Sequence, residues 1–366
     1  MSATPGRPQV RVRLWRTSGR VDDVDPRELP DHLDEDTLAW VDLIDPDPET
    51  LRRVVARFGL DAHSVEDALG RHERPKVTRH PGYLFLTAYA ALLDEAVPAA
   101  HNSRLATSQI SAFVLPRAVV TIRAGDRFPI QDVVSRWEDA AEAVAHAAPS
   151  VQTGILIHGL LDVVVDGHFE TIQLLDDAVE ELEDLLFDDV PRTRDVQQAI
   201  YRLRKELVQL RRVVLPMREV VGALLRHQSA TVGPSLDGLP DATLAATPAP
   251  AAGESAPAGH AALIGDYEDL YDHALRAAEW TESIRDMITS AFETNLSLQD
   301  ARLNTVMKKL ASWAAIIAVP TAVTGWFGQN VPYPGFSAPL GLWLSVMLVC
   351  VGSVGLYAMF KRRDWL

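Results

Sequence analysis

Two uncharged apolar runs near the end of the chain constrain its folding more than any other feature: Ala311–Phe327 (ASWAAIIAVPTAVTGWF) and Leu340–Phe360 (LGLWLSVMLVCVGSVGLYAMF). Runs of this length and polarity are candidates for crossing a bilayer. The first is short alone, but it continues a long helical pattern and need not begin at the bilayer edge. Arg302, Lys308 and Lys309 precede the first run and Lys361, Arg362 and Arg363 follow the second, whereas Gly328 to Pro339 holds no Lys or Arg. The positive-inside rule then places both termini in the cytoplasm of a multi-pass protein of the cell membrane. Trp313, Trp326, Tyr333, Trp343, Tyr357 and Trp365 lie near the four run ends, where interfacial aromatics belong.

The rest of the chain divides by pattern. Residues 1–149 mix short β-rich runs with helical segments and read as an α/β domain. Its candidate strands are Val10–Trp15, Leu38–Leu43, Tyr83–Leu92, Leu105–Leu115 and Ala118–Arg123. Asp47–Gly59 opens on Asp-Pro-Glu, closes on Gly, and spaces Leu51, Val54, Val55 and Phe58 as a helix does. Residues 150–228 read as two antiparallel helices. The first, Val151–Phe187, ends in Glu180, Glu181, Glu183 and Asp184; Asp189-Val190-Pro191 marks a turn; the second, Arg194–Gln228, is basic and kinked by Pro216. Residues 229–262 are rich in Pro, Ala, Gly and Ser and carry too few large apolar residues to order themselves, which predicts a flexible insertion.

Residues 263–310 form a stalk helix. Leu263, Tyr267, Leu270, Ala274, Ala277, Thr281, Ile284, Ile288, Ala291, Asn295 and Leu298 alternate steps of four and three, a heptad seam. Its small and polar members predict packing around an axis with other copies of itself. No Gly or Pro interrupts Asp266 to Val319, about 80 Å of helix at 1.5 Å per residue. The stalk leads into a transmembrane helix at 311–327, a loop at 328–339, a second transmembrane helix at 340–360, and a basic tail at 361–366.

Net charge is −15, which argues against nucleic acid as a partner, since phosphate binding calls for a clustered basic surface. The single cysteine, Cys350, allows no disulfide within the chain. No nucleotide-binding glycine loop, His-Glu-x-x-His zinc motif or Gly-x-Ser-x-Gly elbow is present, and His63, His72, His158, His168 and His273 are scattered. The expectation is a protein that is not an enzyme and uses no catalytic cofactor.

Six segments, in order, carry a resemblance: WVDLIDPDPETL (Trp40–Leu51), EDALGRHERPKV (Glu66–Val77), ELVQLRRVVLPMREVV (Glu206–Val221), YEDLYDHALR (Tyr267–Arg276), RLNTVMKKLA (Arg302–Ala311) and KRRDWL (Lys361–Leu366). With them and the two apolar runs, the chain resembles the CorA family of magnesium and cobalt transport proteins over nearly its whole length. That family's Gly-Met-Asn signature reads Gly328-Gln329-Asn330 here, a departure at its middle residue. The resemblance implies a funnel-shaped homopentamer that passes Mg²⁺ or Co²⁺ along a central pore, with Gly328, Gln329 and Asn330 as the outer selectivity filter. A ring of amide and carbonyl oxygens suits a hydrated Mg²⁺, which gives up water reluctantly. The helical repeat then puts Thr321, Ala318, Ala311, Met307 and Asn304 on the pore face. The resemblance also implies regulatory divalent ions between neighbouring cytoplasmic domains, with Asp269 as one ligand and Asp94 as its partner. A proton-coupled zinc transporter of the same architecture is the alternative.

Overall fold

The computed structural model describes residues 9–16, 21–25, 37–70, 73–93, 103–187, 193–230, 258–329, 332, 336 and 339–366. The chain divides into two units, Met1–Ile288 and Thr289–Leu366. Asp94, the turn at Asp189-Val190-Pro191, residues 231–257 of the insertion, and Asn330 lie outside the described residues.

Unit 1 is built on a seven-stranded sheet of order β2-β1-β3-β7-β6-β5-β4. The strands are β1 (Gln9–Arg16), β2 (Val21–Val24), β3 (Thr37–Ile44), β4 (Lys76–His80), β5 (Tyr83–Leu93), β6 (Leu105–Leu115) and β7 (Ala118–Arg123). Only β3 and β7 pair in parallel; the other neighbours are antiparallel. Each candidate strand is present, extended by at most one residue at either end. The two that the pattern does not announce, β2 and β4, are the sheet's edges. Their sequences, VDDV and KVTRH, are polar because half of an edge strand faces water, so neither reads as an apolar run.

Successive residues of a strand point to opposite faces, and both faces of this sheet are covered. One carries Leu38, Trp40, Leu86, Ile110 and Val119 against α3 (Ile130–Asp139), α4 (Ala141–His146), α5 (Pro149–Phe187), α7 (Met217–Ala230) and the start of α8 (Ala258–Phe327). The other carries Ala39, Val41, Leu43, Phe85 and Phe113 against α1 (Pro48–Phe58) and α2 (Ala62–Leu69). Helix α1 starts where Asp47 accepts from the Glu49 and Thr50 amides and stops at Gly59, whose φ of 62° is the left-handed cap that glycine adopts without strain. Between the layers, Asp42 of β3 and Arg123 of β7 form a fully buried ion pair, with Nη2 to Oδ2 at 2.9 Å and Nε to Oδ1 at 3.0 Å. Thr121 also donates to Asp42 (2.7 Å) and accepts from Trp40 Nε1 (3.0 Å), so the carboxylate is shared by two strands. Loss of either charge would strand the other in the core.

The basic helix is broken at Pro216, not merely kinked. Helix α6 (Thr193–Val214) and α7 are separated by Leu215-Pro216, as expected where a residue lacks both an N–H and room for the preceding carbonyl. Helix α8 begins at Ala258, before Leu263, with buried His260 bonded to the Gln228 carbonyl at the end of α7 (3.0 Å). Its apolar seam from Leu263 to Ile288 is buried inside the chain's own domain, not against other copies. Leu263, Tyr267, Leu270 and Ala274 join the core formed by α5 and α7. Tyr267 donates to the Gly154 carbonyl at 3.0 Å, and a Cβ at Gly154 would meet Leu263 Cδ2 at 2.6 Å, so glycine there sets how closely α5 and α8 approach. The seam therefore serves a tight contact within one chain.

His168 of α5 is fully enclosed and bonded to the Tyr89 carbonyl (2.8 Å); burial pushes its imidazole down to about 4 from 6.5. Stability is thus complete above pH 6.5 and falls as pH drops from there toward 4, because only the unfolded chain takes up the proton. The expected loss is about 3 kcal/mol. Unfolding of the full chain followed by tryptophan fluorescence should show this slope in the wild type and a shallower one in His168→Gln.

Candidate functional site

Unit 2 contains the last part of α8 and α9 (Pro339–Arg362), the two helices long and apolar enough to cross a membrane. The short connection returns α9 antiparallel to α8. Their contact is legible in the burial pattern. On α8, Ser312, Ala315, Ile316, Val319, Val323 and Phe327 are covered; on α9, Gly341, Ser345, Val349, Gly352, Leu356 and Phe360 are. Both sets recur at three or four residues, one stripe on each helix. At the centre, a Cβ on Gly352 would lie 2.8 Å from Val319 Cγ1, so the helices meet backbone to side chain. Whereas the buried Ser353 Oγ of α9 has no partner among the described residues, the hydroxyls of the α8 run are satisfied locally: Ser312 donates to the Lys308 carbonyl (2.8 Å), Thr321 to Ile317 (3.1 Å) and Thr324 to Pro320 (2.8 Å), as on α9 Ser345 donates to Leu342 (2.9 Å). That suits a helix among apolar neighbours.

The remaining surface of α8 has two characters. At 100° per residue, Asn304, Met307, Ala311, Ala318 and Thr321 all lie on the side turned away from α9, and all are exposed in the single chain. Ala314, Gly325 and Gly328 complete that stripe. Beside it runs a bulky apolar one, Val306, Leu310, Trp313 and Ile317, each more than half exposed. A helix that is packed on one side, small and polar on a second, and bulky on a third has three different surroundings.

Toward the start of unit 2 the small and polar stripe continues through Asp300, Ser297, Glu293 and Ser290, all exposed. These are functional candidates beyond those the apolar pattern singles out. The signal is a seven-residue column: Asp272, Glu279, Asp286, Glu293, Asp300, Met307, Ala314, Thr321, Gly328. It is a second heptad seam, polar where the first is apolar.

Of the signature residues, Gly328 and Gln329 follow directly on α8. The Gly328 amide donates to the Thr324 carbonyl (2.8 Å), and a Cβ at Gly328 would lie 2.9 Å from that same oxygen, so only glycine fits. Gln329 is exposed, its amide 3.4 Å from the Trp326 carbonyl. Asp269 is an exposed residue of α8 in unit 1, with His273 one turn on at 3.7 Å. Beneath it, His158 of α5 donates from Nε2 to the Asp266 carbonyl (3.1 Å), and burial lowers its pKa against the pull of Asp266 and Asp269. Among the described residues no three His, Cys, Asp or Glu side chains converge as a metal cage. Asp269 offers one carboxylate, and a full coordination shell needs ligands beyond it.

A sequence model of the CorA-like Mg²⁺ transporter proteins matches residues 35–236 and 254–362. The cobalt/magnesium transport protein CorA of Methanocaldococcus jannaschii is 24% identical over 348 residues, covering 94% of this chain and 96% of its own. Its counterpart in Thermotoga maritima is 24% identical over 335 residues, covering 91% and 85%. The complete structure of the Methanocaldococcus jannaschii CorA magnesium transporter superposes with a TM-score of 0.71 at 23% identity, covering 98% of both chains, a shared fold of N-terminal α/β domain, long helix and two C-terminal apolar helices.

The Gly352 contact makes a steric prediction. Gly352→Leu should separate α9 from α8 and lower thermal stability in detergent by about 2 kcal/mol, with Val319→Ala in the same chain recovering at least half. Equal stability of Gly352→Leu and wild type would show that the two helices do not pack through this point.

Proposed function

This chain belongs to the CorA family of Mg²⁺ transporters, and on that premise we propose that it admits divalent cations, Mg²⁺ foremost and Co²⁺ with it, through a pore on the axis of a homopentamer. The observation that supports the reading best is the second seam of α8. Five copies of one face, polar and small from Ser290 to Gly328, enclose a path that water can fill, while the bulky stripe beside it meets lipid or the neighbouring subunit. Asn330 with Gly328 and Gln329 forms the outer filter, holding a hydrated cation by neutral oxygens. Met307, with Ala311, Ala314 and Ala318 above it, is the constriction, which closes by losing water. Asn304 and the carboxylates of Asp300 and Glu293 lie on the cytoplasmic side and attract the ion once it has passed. Basic residues flanking both spans keep both termini in the cytoplasm.

Regulation, in this reading, uses Asp269. Its exposed carboxylate takes a divalent ion together with a carboxylate of the neighbouring copy, for which Asp94 is the sequence's candidate. The ion neutralises repulsion across the subunit boundary and holds the pore shut; its loss loosens the ring.

Flux of Mg²⁺, Co²⁺, Ni²⁺ and Zn²⁺ into liposomes, with and without a pH gradient, tests the transport reading. Mg²⁺ entry should be independent of the gradient, and Asn330→Ala should reduce it at least ten-fold without loss of thermal stability. Near-normal entry in that variant would remove the filter, and zinc-selective, proton-driven flux would move the chain among zinc transporters. Asp269→Ala should raise several-fold the internal Mg²⁺ needed to halve the flux. An unchanged inhibition curve would take Asp269 out of the sensor.

A further inference from the structure

The cations at the ends of the two apolar helices meet at one level. Taking the Val319–Gly352 contact as origin, Lys308 and Lys309 lie about ten residues before it on α8, and Lys361, Arg362 and Arg363 lie about ten residues after it on antiparallel α9. At 1.5 Å per residue both groups are about 15 Å from the contact, the half-thickness of a bilayer's hydrocarbon core.

Three of the five also share a side, Lys361 and Arg362 standing about 100° and 200° around α9 from Phe360. Lys308 and Lys309 stand one turn before fully buried Ser312, so they prolong the stripe of α8 that faces α9; Lys309 stands apart from the polar seam, and Lys308, one turn from Asn304, lies between that seam and the stripe. On α9, Arg363 continues the covered stripe of Leu356 and Phe360. The tail is shaped there by three backbone bonds, Arg363 to Phe360 (3.1 Å), Asp364 to Lys361 (3.3 Å) and Trp365 to Phe360 (3.0 Å), with Asp364 left-handed at φ 55°. Trp365 folds back onto the Phe360 ring at 5.6 Å, and the Lys361 ammonium sits 5.9 Å over Tyr357. All five cations are exposed, and among the described residues none is in an ion pair with a carboxylate. Exposed Leu310, Trp313 and Tyr357 adjoin them on the membrane side.

We infer that the α8–α9 groove at this level, formed by Lys308, Lys309 and Arg363 with Lys361 and Arg362 on its outer flank, binds the headgroup of an anionic phospholipid, whose acyl chains lie along the apolar surface above it. Three positive charges in the groove, in no ion pair among the described residues and set at the headgroup depth beside exposed apolar side chains, match a phosphate joined to a hydrocarbon tail better than a free anion. Guanidinium groups hold phosphate oxygens two at a time, and the cation–π contact keeps Lys361 at the interface. The inference stands apart from the conduction reading, since it concerns the side of α8 that faces α9.

The full chain in vesicles supplies the test, through quenching of its tryptophans by brominated phosphatidylglycerol against brominated phosphatidylcholine. The wild type should favour phosphatidylglycerol about five-fold at low ionic strength, and 0.5 M salt should weaken the preference. A Lys308→Gln, Lys309→Gln, Arg363→Gln variant should lose it. Equal quenching by the two lipids in the wild type overturns the proposal without recourse to any variant, as does a preference that persists in the triple variant. Release of phosphatidylglycerol by millimolar inorganic phosphate would mark a soluble-anion site and overturn it too.

Discussion

One helix must satisfy two sets of neighbours, and most of the structure follows from how α8 divides its surface. A helix of 70 residues cannot be covered by one domain of this size, so each stretch depends on the face it turns to something else. From Leu263 to Ile288 the apolar seam is buried against α5 and α7, and that burial makes α8 part of the domain. In unit 2 the covered stripe turns to α9, leaving a polar seam of the same period free. Because an undistorted helix drifts about 20° per heptad against a seven-residue repeat, this polar column turns slowly around α8 along its length. The apolar seam explains the folding of a single chain, and the polar seam is the face that this folding leaves exposed.

The periods were readable in the sequence, but the partners were not. The seam from Leu263 has the spacing of a coiled coil, and spacing alone cannot distinguish a helix of another copy from a helix of the same chain. Gly154 settles it: a helix surface without a side chain, against Leu263, requires the backbone of α5 itself to be close. Strand reading succeeded where both faces are covered, as in β3 and β7, and failed at β2 and β4, whose alternation is masked by solvent-side charge. Pro216 marked the right place but understated the effect, since its missing N–H and its ring's clash with the carbonyl one turn back end α6 at Val214, and α7 starts afresh at Met217.

The candidate pore residues were legible as a face because small residues and an amide, Ala311, Ala318 and Asn304, interrupt an otherwise bulky apolar surface. The acidic column was not, because exposed carboxylates on a helix resemble an ordinary solvated side. What distinguishes Glu293 and Asp300 is register. They stand in line with Met307, Ala314 and Thr321, and a solvated face has no reason to hold a seven-residue column in phase with a transmembrane one.

Charge on these helices is sorted by side as well as by sequence. Carboxylates fall on the seam that leads to Met307, while Lys308 and Lys309 fall on the side next to α9, although both kinds occur within two helical turns. Were they mixed, neighbouring ammonium groups would cancel the field of Asp300, since charges closer than the Debye length of about 8 Å in physiological salt act on the same point, whereas charges across a helix about 10–12 Å wide are largely screened from one another. Separation by about a quarter turn for Lys308 and half a turn for Lys309 lets one segment of helix carry a negative surface on one side and a positive one on another. A protein of net charge −15 thus concentrates positive charge at the ends of its two apolar helices, the placement the positive-inside rule describes, while the carboxylates of α8 keep to a separate face.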